Sequence, residues 1–436
     1  MPSAIDAPVV GVAGVLTLVL TTVAVQSPMA LLLACGALLT LAVLFVVPHD
    51  LVLGLGLSAA LAVLTAVPLN KLDNDPSLKI VIPGAVAGVL LASLGRRHAT
   101  LRITRMLVLL ACTYVVVACG SLITGIASPF YFMAIAMSLL VLFVSSNCGR
   151  DERELVTLVV VLLGLVEVAI ALFEVFVNQG PLFVSTGGLA RYNPYLPDGT
   201  LRAEGTLGHP LVLGYFFLVG FALVLRVQWP SVWKGAAGIG LCAGLVLSGS
   251  SSTLIAATVA TAYALWLRYR GAVRLALVYL LGLGAAFALS AGFLQSVLVS
   301  DVSSASHYGH RVASLLAVGS LLTERAPPNV LLGNGADSAT RLYAAGILPD
   351  DGFYAIDNQL VTMLAEGGLL ALLLFSAFLW VTVRTASGAA KPVVVVLLVM
   401  MFSFDVLAWY IPAMATLVVL GLYCTVPLSD HRRVYG

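Results

Sequence analysis

Four short stretches of this chain set charged or proton-transferring side chains beside glycine, next to long apolar runs. The first, RAEGTLGHP from Arg202 to Pro210, brings Arg202 and Glu204 to the start of an apolar run, with Gly205 and Gly208 loosening the backbone. Such an arginine can hold an anionic group beside lipid, or it can simply reach out to water from a turn that starts a helix. The second, SASHYGHR, spans Ser304 to Arg311. His307 and His310 have a spacing that superficially resembles a metal pair, but Asp301 is the one nearby third ligand, so no metal site is expected. Arg311 offers bidentate contact to a diphosphate, or is a solvated charge on the polar face of a helix. The third, LLGNGADS from Leu331 to Ser338, is a glycine-rich turn without the trailing GK[ST] of a phosphate-binding loop, and a structural turn is its default reading. The fourth, DNQLVTMLAEGGLLALLLF from Asp357 to Phe375, opens with a carboxylate where water meets lipid. A group so placed suits a general base, while Asp or Asn before a helix also suits capping, and the two roles are compatible. Glu366, two turns further on, must face protein or a polar cavity.

The elements that position these stretches follow from composition. Of 436 residues 61% are hydrophobic and 10% charged, with mean hydropathy +1.07, which excludes an ordinary soluble fold. The expected fold is all-α, a polytopic transmembrane bundle forming one membrane domain over residues 1–436. About 20 apolar residues cross a bilayer. On that measure roughly fourteen spans begin near Val9, Met29, Leu51, Lys79, Met106, Pro129, Leu155, Leu207, Trp233, Thr253, Val273, Gln359, Pro392 and Ile411. With both termini cytoplasmic, fifteen of the 22 Lys and Arg residues fall in cytoplasmic segments, as the positive-inside bias requires. Two long loops then lie outside, 178–206 and 299–356, the second partly helical. Its segment His310 to Thr323 has the spacing of an amphipathic surface helix. The six cysteines lie in or beside apolar runs without a CxxC pair and imply neither a disulfide nor a metal framework. A net charge of +2 gives no reason to expect a nucleic-acid partner.

Taken in order, the four stretches resemble the O-antigen ligase and Wzy-type polymerase superfamily, membrane glycosyltransferases of the GT-C class. The resemblance runs from about Tyr192 to Phe375. The first stretch is similar to that family's R-x-x-G-T-x-x-N/H-P. The second is similar to its outer-loop arginine before an amphipathic helix, and the third to its L-x-G-x-G turn. The fourth is similar to its H/D-N-x-x-L-x-x-x-x-E-x-G, with Val361 where leucine is usual. The resemblance implies that Arg202 and Arg311 contact a donor diphosphate and that Asp357 activates an acceptor hydroxyl. Arg191, Glu204, His209, His310, Arg341 and Asn358 complete the expected substrate-contacting set. Two departures stand out. Asp occupies the place where lipid A ligases carry His, which leans toward a polymerase-like acceptor, and serines fill Ser248 to Thr253 (SGSSST) where many members have an Ser-Arg pair.

The expected activity is inverting, metal-independent and cofactor-free transfer of a polyprenyl-diphosphate-linked glycan to a glycan or glycolipid acceptor. It would take place among membrane lipid, at the outer face of a bacterial cytoplasmic membrane. Four lysines against eighteen arginines hint at a GC-rich bacterial genome. The competing expectation is a lipid-linked oligosaccharide flippase or other polysaccharide transporter. For that class, Glu167, Glu174 and Asp405 are the ionisable residues expected inside spans.

Overall fold

Where no water is present, a backbone must satisfy its own N–H and C=O groups, so runs this apolar fold as helices. The computed structural model is accordingly all-helical, with no strand among its described residues. It describes residues 36, 39–44, 46–67, 76–96, 101–125, 129–183, 192–227, 229–271, 274, 307–348, 356–386 and 390–424. The expected spans from Val9 and Val273 and most of the one from Met29 therefore lie outside the described residues.

Along the chain the helices are α1 (Val52–Ala66), α2 (Pro76–Arg96), α3 (Arg105–Ile123), α4 (Pro129–Ser146) and α5 (Arg150–Phe173). A π-helical turn at Glu174–Asn178 extends α5. Then come α6 (Pro210–Arg226), α7 (Ser231–Ser248), α8 (Ser251–Arg268), α9 (His307–Thr323), α10 (Pro327–Leu332) and α11 (Ala339–Ala344). The last are α12 (Gln359–Thr385), α13 (Lys391–Met401) and α14 (Tyr410–Tyr423). Among the described residues four helical stretches are long and apolar enough to cross a membrane: Arg105–Ile123, Arg150–Asn178, Ser231–Ser248 and Gln359–Thr385. Several shorter apolar helices accompany them, which is compatible with a multi-pass membrane protein. The expected tenth span coincides with α8, which falls outside the four because Ser251, Ser252, Thr253, Thr258, Thr261 and Arg268 dilute its hydropathy.

The chain forms two compact units. Unit 1 comprises Met1–Leu107, Met133–Leu254 and Tyr410–Gly436; unit 2 comprises Val108–Phe132 and Ile255–Trp409. In unit 1, α6 is buried along nearly its whole length and packs on α5, α7 and α14. Small residues allow these close approaches: a Cβ on Gly244 of α7 would lie 2.8 Å from Val168 Cγ2 and 2.9 Å from the Phe217 ring. Fully buried Glu152, in the first turn of α5, accepts hydrogen bonds from Leu53 N (2.8 Å) and Gly149 N (2.6 Å), so one carboxylate serves the first turns of both α1 and α5.

In unit 2, α9, α10, α11 and α13 pack on α12. The stretch expected as a long loop thus contains three helices among its described residues. The first, α9, begins three residues before the expected His310 and turns Ala317 and Leu321 onto a core with Leu342, Leu348, Ile356, Val361 and Leu364. Leu315 and Leu316 remain exposed on it. The long helix α12 is interrupted: Gly368 has φ +65° and ψ −164°, a backbone conformation essentially confined to glycine.

Candidate functional site

In unit 1 the RAEGT segment is shaped by two glutamates of the α5 helix and its π-helical extension. Glu174 is 1% exposed, and its Oε2 accepts from Glu204 N (2.9 Å) and Gly205 N (2.8 Å) while Oε1 accepts from Leu182 N (2.8 Å). Glu167 Oε2 accepts from Thr206 N at 3.1 Å, and the Thr206 hydroxyl lies between Glu167 Oε1 and the Thr65 carbonyl. A side chain on Gly205 (φ +57°) would run into Glu167, which accounts for glycine there.

Arg202 sits against the turn between α7 and α8. Its Nε donates to Ser248 O at 2.8 Å, and Ala203 N donates to Leu247 O. Asn193 Nδ2 donates to the carbonyls of Val246 and Leu247, and Tyr195 OH donates to Ser251 Oγ at 2.7 Å. The SGSSST turn is therefore the platform on which Arg202 and Asn193 rest. His209 is the N-cap of α6, its Nδ1 accepting from Leu211 N at 3.2 Å, and Glu204 is buried. Arg191 lies outside the described residues.

In unit 2 the third and fourth stretches interlock. Where α12 breaks, its freed carbonyls turn to the LLGNGADS turn: Asn334 N donates to Ala365 O (3.0 Å) and Gly335 N to Glu366 O (2.9 Å). The fit is backbone on backbone, since a Cβ on Gly333 would stand 2.1 Å from Glu366 O and one on Gly368 2.5 Å from Leu331 C. Arg325 fills the junction. Only 7% exposed, it donates from Nε to Leu321 O, from Nη1 to Asn334 Oδ1 (2.8 Å) and Ala365 O (3.2 Å), and from Nη2 to Leu364 O (3.2 Å). Burial pulls its guanidinium down to about 10. Ser121 Oγ of α3 accepts from Ala336 N (2.8 Å), Arg341 Nη2 donates to Asn334 O (2.8 Å), and Glu366 accepts from Asp337 N (2.9 Å) and Tyr131 OH (3.4 Å). Glu366 lies seven residues into α12, about 10 Å along its axis.

At the start of α12 the cap is Asn358, not Asp357: Asn358 Oδ1 accepts from Leu360 N and Val361 N, and its Nδ2 donates to Phe402 O. With 1% exposure and both ends of its amide engaged, Asn358 acts as a structural clamp where substrate contact was expected. Asp357 is half-buried just before the helix. Asp405, expected within the thirteenth span, lies instead in the non-helical link 402–409 after α13. Burial raises its carboxyl well above the ordinary range, the negative charge of Asp357 adds to this, and a hydrogen bond from Trp409 Nε1 (3.0 Å) counteracts it.

Asp357, Asn358 and Arg341 thus belong to unit 2, the first two at the start of α12 and Arg341 at the LLGNGADS turn, and Arg202, Glu204 and His209 follow one another in unit 1. The backbones of His310 and Arg311 form the first turn of α9, and their side chains lie outside the described residues. Ser121, Tyr131, Asn193 and Gln359 join these clusters without a sequence signal; Arg325 was visible as one more loop arginine. No known protein family matches the chain, and no curated protein does either.

Proposed function

We propose that this protein is a membrane glycosyltransferase that moves a polyprenyl-diphosphate-linked glycan onto a glycan or glycolipid acceptor at the outer face of a bacterial cytoplasmic membrane. The observation that carries this reading is the interlock in unit 2. Two stretches that resemble one family's motifs meet there, residue on residue, about two turns along α12 from its start, where Asp357 stands just before the Asn358 cap. In the proposed step the carboxylate of Asp357 takes the proton of an acceptor hydroxyl as that oxygen bonds to the anomeric carbon. The bond from that carbon to the diphosphate breaks, and its electron pair leaves with the phosphate oxygen. The resemblance gives Arg202 and Arg311 the role of stabilising the charge that develops on the diphosphate, an electrostatic contribution that suits an inverting, metal-independent displacement.

The test is genetic and chemical. Removing the protein should make one lipid-linked glycan accumulate, and Arg202→Ala or Arg311→Ala should abolish the glycoconjugate without lowering the protein level. Asp357→Asn should abolish product too, because Asn358 continues to cap α12. Normal product from both arginine variants would sink the proposal.

One observation favours the second reading, a lipid-linked glycan flippase. Discontinuous helices are a device of transporters, and α12 is discontinuous at Gly368. Proteoliposomes carrying a fluorescent polyprenyl-diphosphate glycan separate the two. Translocation without glycosylation of an added acceptor would replace the transferase reading.

A further inference from the structure

Helix α5 and its π-helical extension bury three glutamates, Glu152, Glu167 and Glu174, and their hydrogen-bond partners differ. Glu152 accepts from Leu53 N, Gly54 N and Gly149 N, and Glu174 from Leu182 N, Glu204 N and Gly205 N, so both oxygens of each carboxylate meet N–H groups. Glu167 is 3% exposed and pairs with no lysine or arginine among the described residues. Its Oε2 accepts a single N–H, that of Thr206 at 3.1 Å, and its Oε1 meets the Thr206 hydroxyl.

That hydroxyl owns one hydrogen and has a second neighbour, the Thr65 carbonyl. Thr65 is next to last in α1, where a carbonyl finds no N–H in its own helix and needs a donor from elsewhere. A carbonyl cannot donate, so the Thr206 hydrogen belongs to Thr65 O. Glu167 Oε1 can then meet the Thr206 oxygen favourably only if Oε1 itself carries a hydrogen. An ionised Glu167 would set two acceptors on one hydrogen, buried and without a cation, which is costly.

We infer that Glu167 binds a proton in the folded protein near neutral pH and that this neutral acid positions the RAEGT segment. The chain of bonds is directed: Glu167 O–H to Thr206 Oγ, then Thr206 O–H to Thr65 O. The proton does not depend on the transferase reading, whereas its use rests on it. Arg202 precedes Thr206 by four residues in the same segment. A segment that is to receive a diphosphate is served by a neutral acid at its back, where a further buried negative charge would repel the ligand. Glu174 lies two turns further along α5 with its charge met by three N–H groups, and Glu204 is buried in the segment itself. Glu167 touches no substrate in this scheme and is a positioning residue.

Glu167→Gln, Glu167→Ala and Glu174→Gln, made in the full chain and held in nanodiscs, test this. In Glu167→Gln the amide oxygen accepts from Thr206 N and the amide N–H replaces the carboxyl O–H, so proteolysis within 178–206 should stay within about twofold of wild type. Glu167→Ala leaves the Thr206 N–H and oxygen unmet and should speed it about tenfold or more. Glu174→Gln should speed it as well, since all the partners of Glu174 are donors. Infrared spectra near neutral pH should show a carboxylic-acid band that Glu167→Gln removes and Glu174→Gln retains. Glycoconjugate formed in cells should follow the same order, near wild type in Glu167→Gln and reduced about tenfold in Glu167→Ala. A spectrum unchanged by Glu167→Gln, or proteolysis as fast in Glu167→Gln as in Glu167→Ala, overturns the inference. Normal product from Arg202→Ala and Arg311→Ala removes the transferase reading alone, because the infrared band and the proteolysis decide the proton without reference to any product.

Discussion

Substituting Gly333 or Gly368 by alanine tests whether the unit 2 junction is built on backbone contact. Both residues have positive φ, +79° and +65°, with ψ near −170°, so alanine is strained there in any surroundings, by about 1–3 kcal/mol. Packing adds to this. The new Cβ at 333 would meet Glu366 O at 2.1 Å and Gly367 N at 2.4 Å, and that at 368 would meet Leu331 O at 2.5 Å. These are backbone atoms that cannot swing aside, and overpacking of this kind costs a further 1–3 kcal/mol or about that. Each variant should lose roughly 2–6 kcal/mol. Gly346 supplies the control: φ is +72° but nothing lies within 4 Å, so Gly346→Ala should cost only the backbone part, about 1–2 kcal/mol. Gly319, inside α9 with open space around it, should gain about 0.5–1 kcal/mol as alanine. The assay is loss of helical circular dichroism on titrating detergent-solubilised protein with dodecyl sulfate. Since the two glycines serve one junction, the double variant should cost less than the sum of the single ones. Gly333→Ala and Gly368→Ala equal in cost to Gly346→Ala would refute the interlock.

Three further outcomes follow from the buried charges. Glu174→Gln replaces one accepting oxygen by an N–H group facing backbone donors, so it should lower stability by about 2–3 kcal/mol and speed proteolysis within 178–206. Arg325→Lys cannot reach four acceptors from one planar group, and a loss of about 2–4 kcal/mol in the same titration would show that the guanidinium shape, not the charge alone, closes the junction. Asp405 has a carboxyl raised in the fold above its ordinary 3.8, so the stability tied to its protonated form is complete below that ordinary value and is lost as pH rises through the raised one. The melting midpoint should accordingly fall as pH rises from about 4, the fall should vanish in Asp405→Asn, and it should move to lower pH in Asp357→Asn, which removes a repelling charge.

Composition and hydrophobic period were enough to expect helices and to find α9 within three residues, because both depend on neighbours along the chain. The four chemical stretches were visible for the same reason. Their assembly was not. Ser121 meets Ala336 across 215 residues and Tyr131 meets Glu366 across 235, and nothing local in a single sequence encodes such pairings. The DN pair at 357–358 announced a cap but not its holder. Only the geometry of Asn358 Oδ1 under Leu360 N and Val361 N makes the assignment.

The same geometry reweighs the rival functions. A transporter reading drew strength from carboxylates inside apolar helices, which on sequence alone are functional candidates by default. Glu174 accepts three backbone N–H groups, Glu167 one backbone N–H with a hydroxyl beside it, and Glu152 those at the starts of α1 and α5. These three hold loops and helix starts, a role that explains their burial without an ion path. Among the other described carboxylates, Glu204 is buried in the RAEGT segment, Glu366 stands at the break in α12, and Asp357 lies just before the helix, about two turns from Glu366. A flippase that uses the discontinuity needs the break to move. The backbone-on-backbone fit at Gly333 and Gly368, with Arg325 closing it, is a rigid construction, and that weighs toward the transferase.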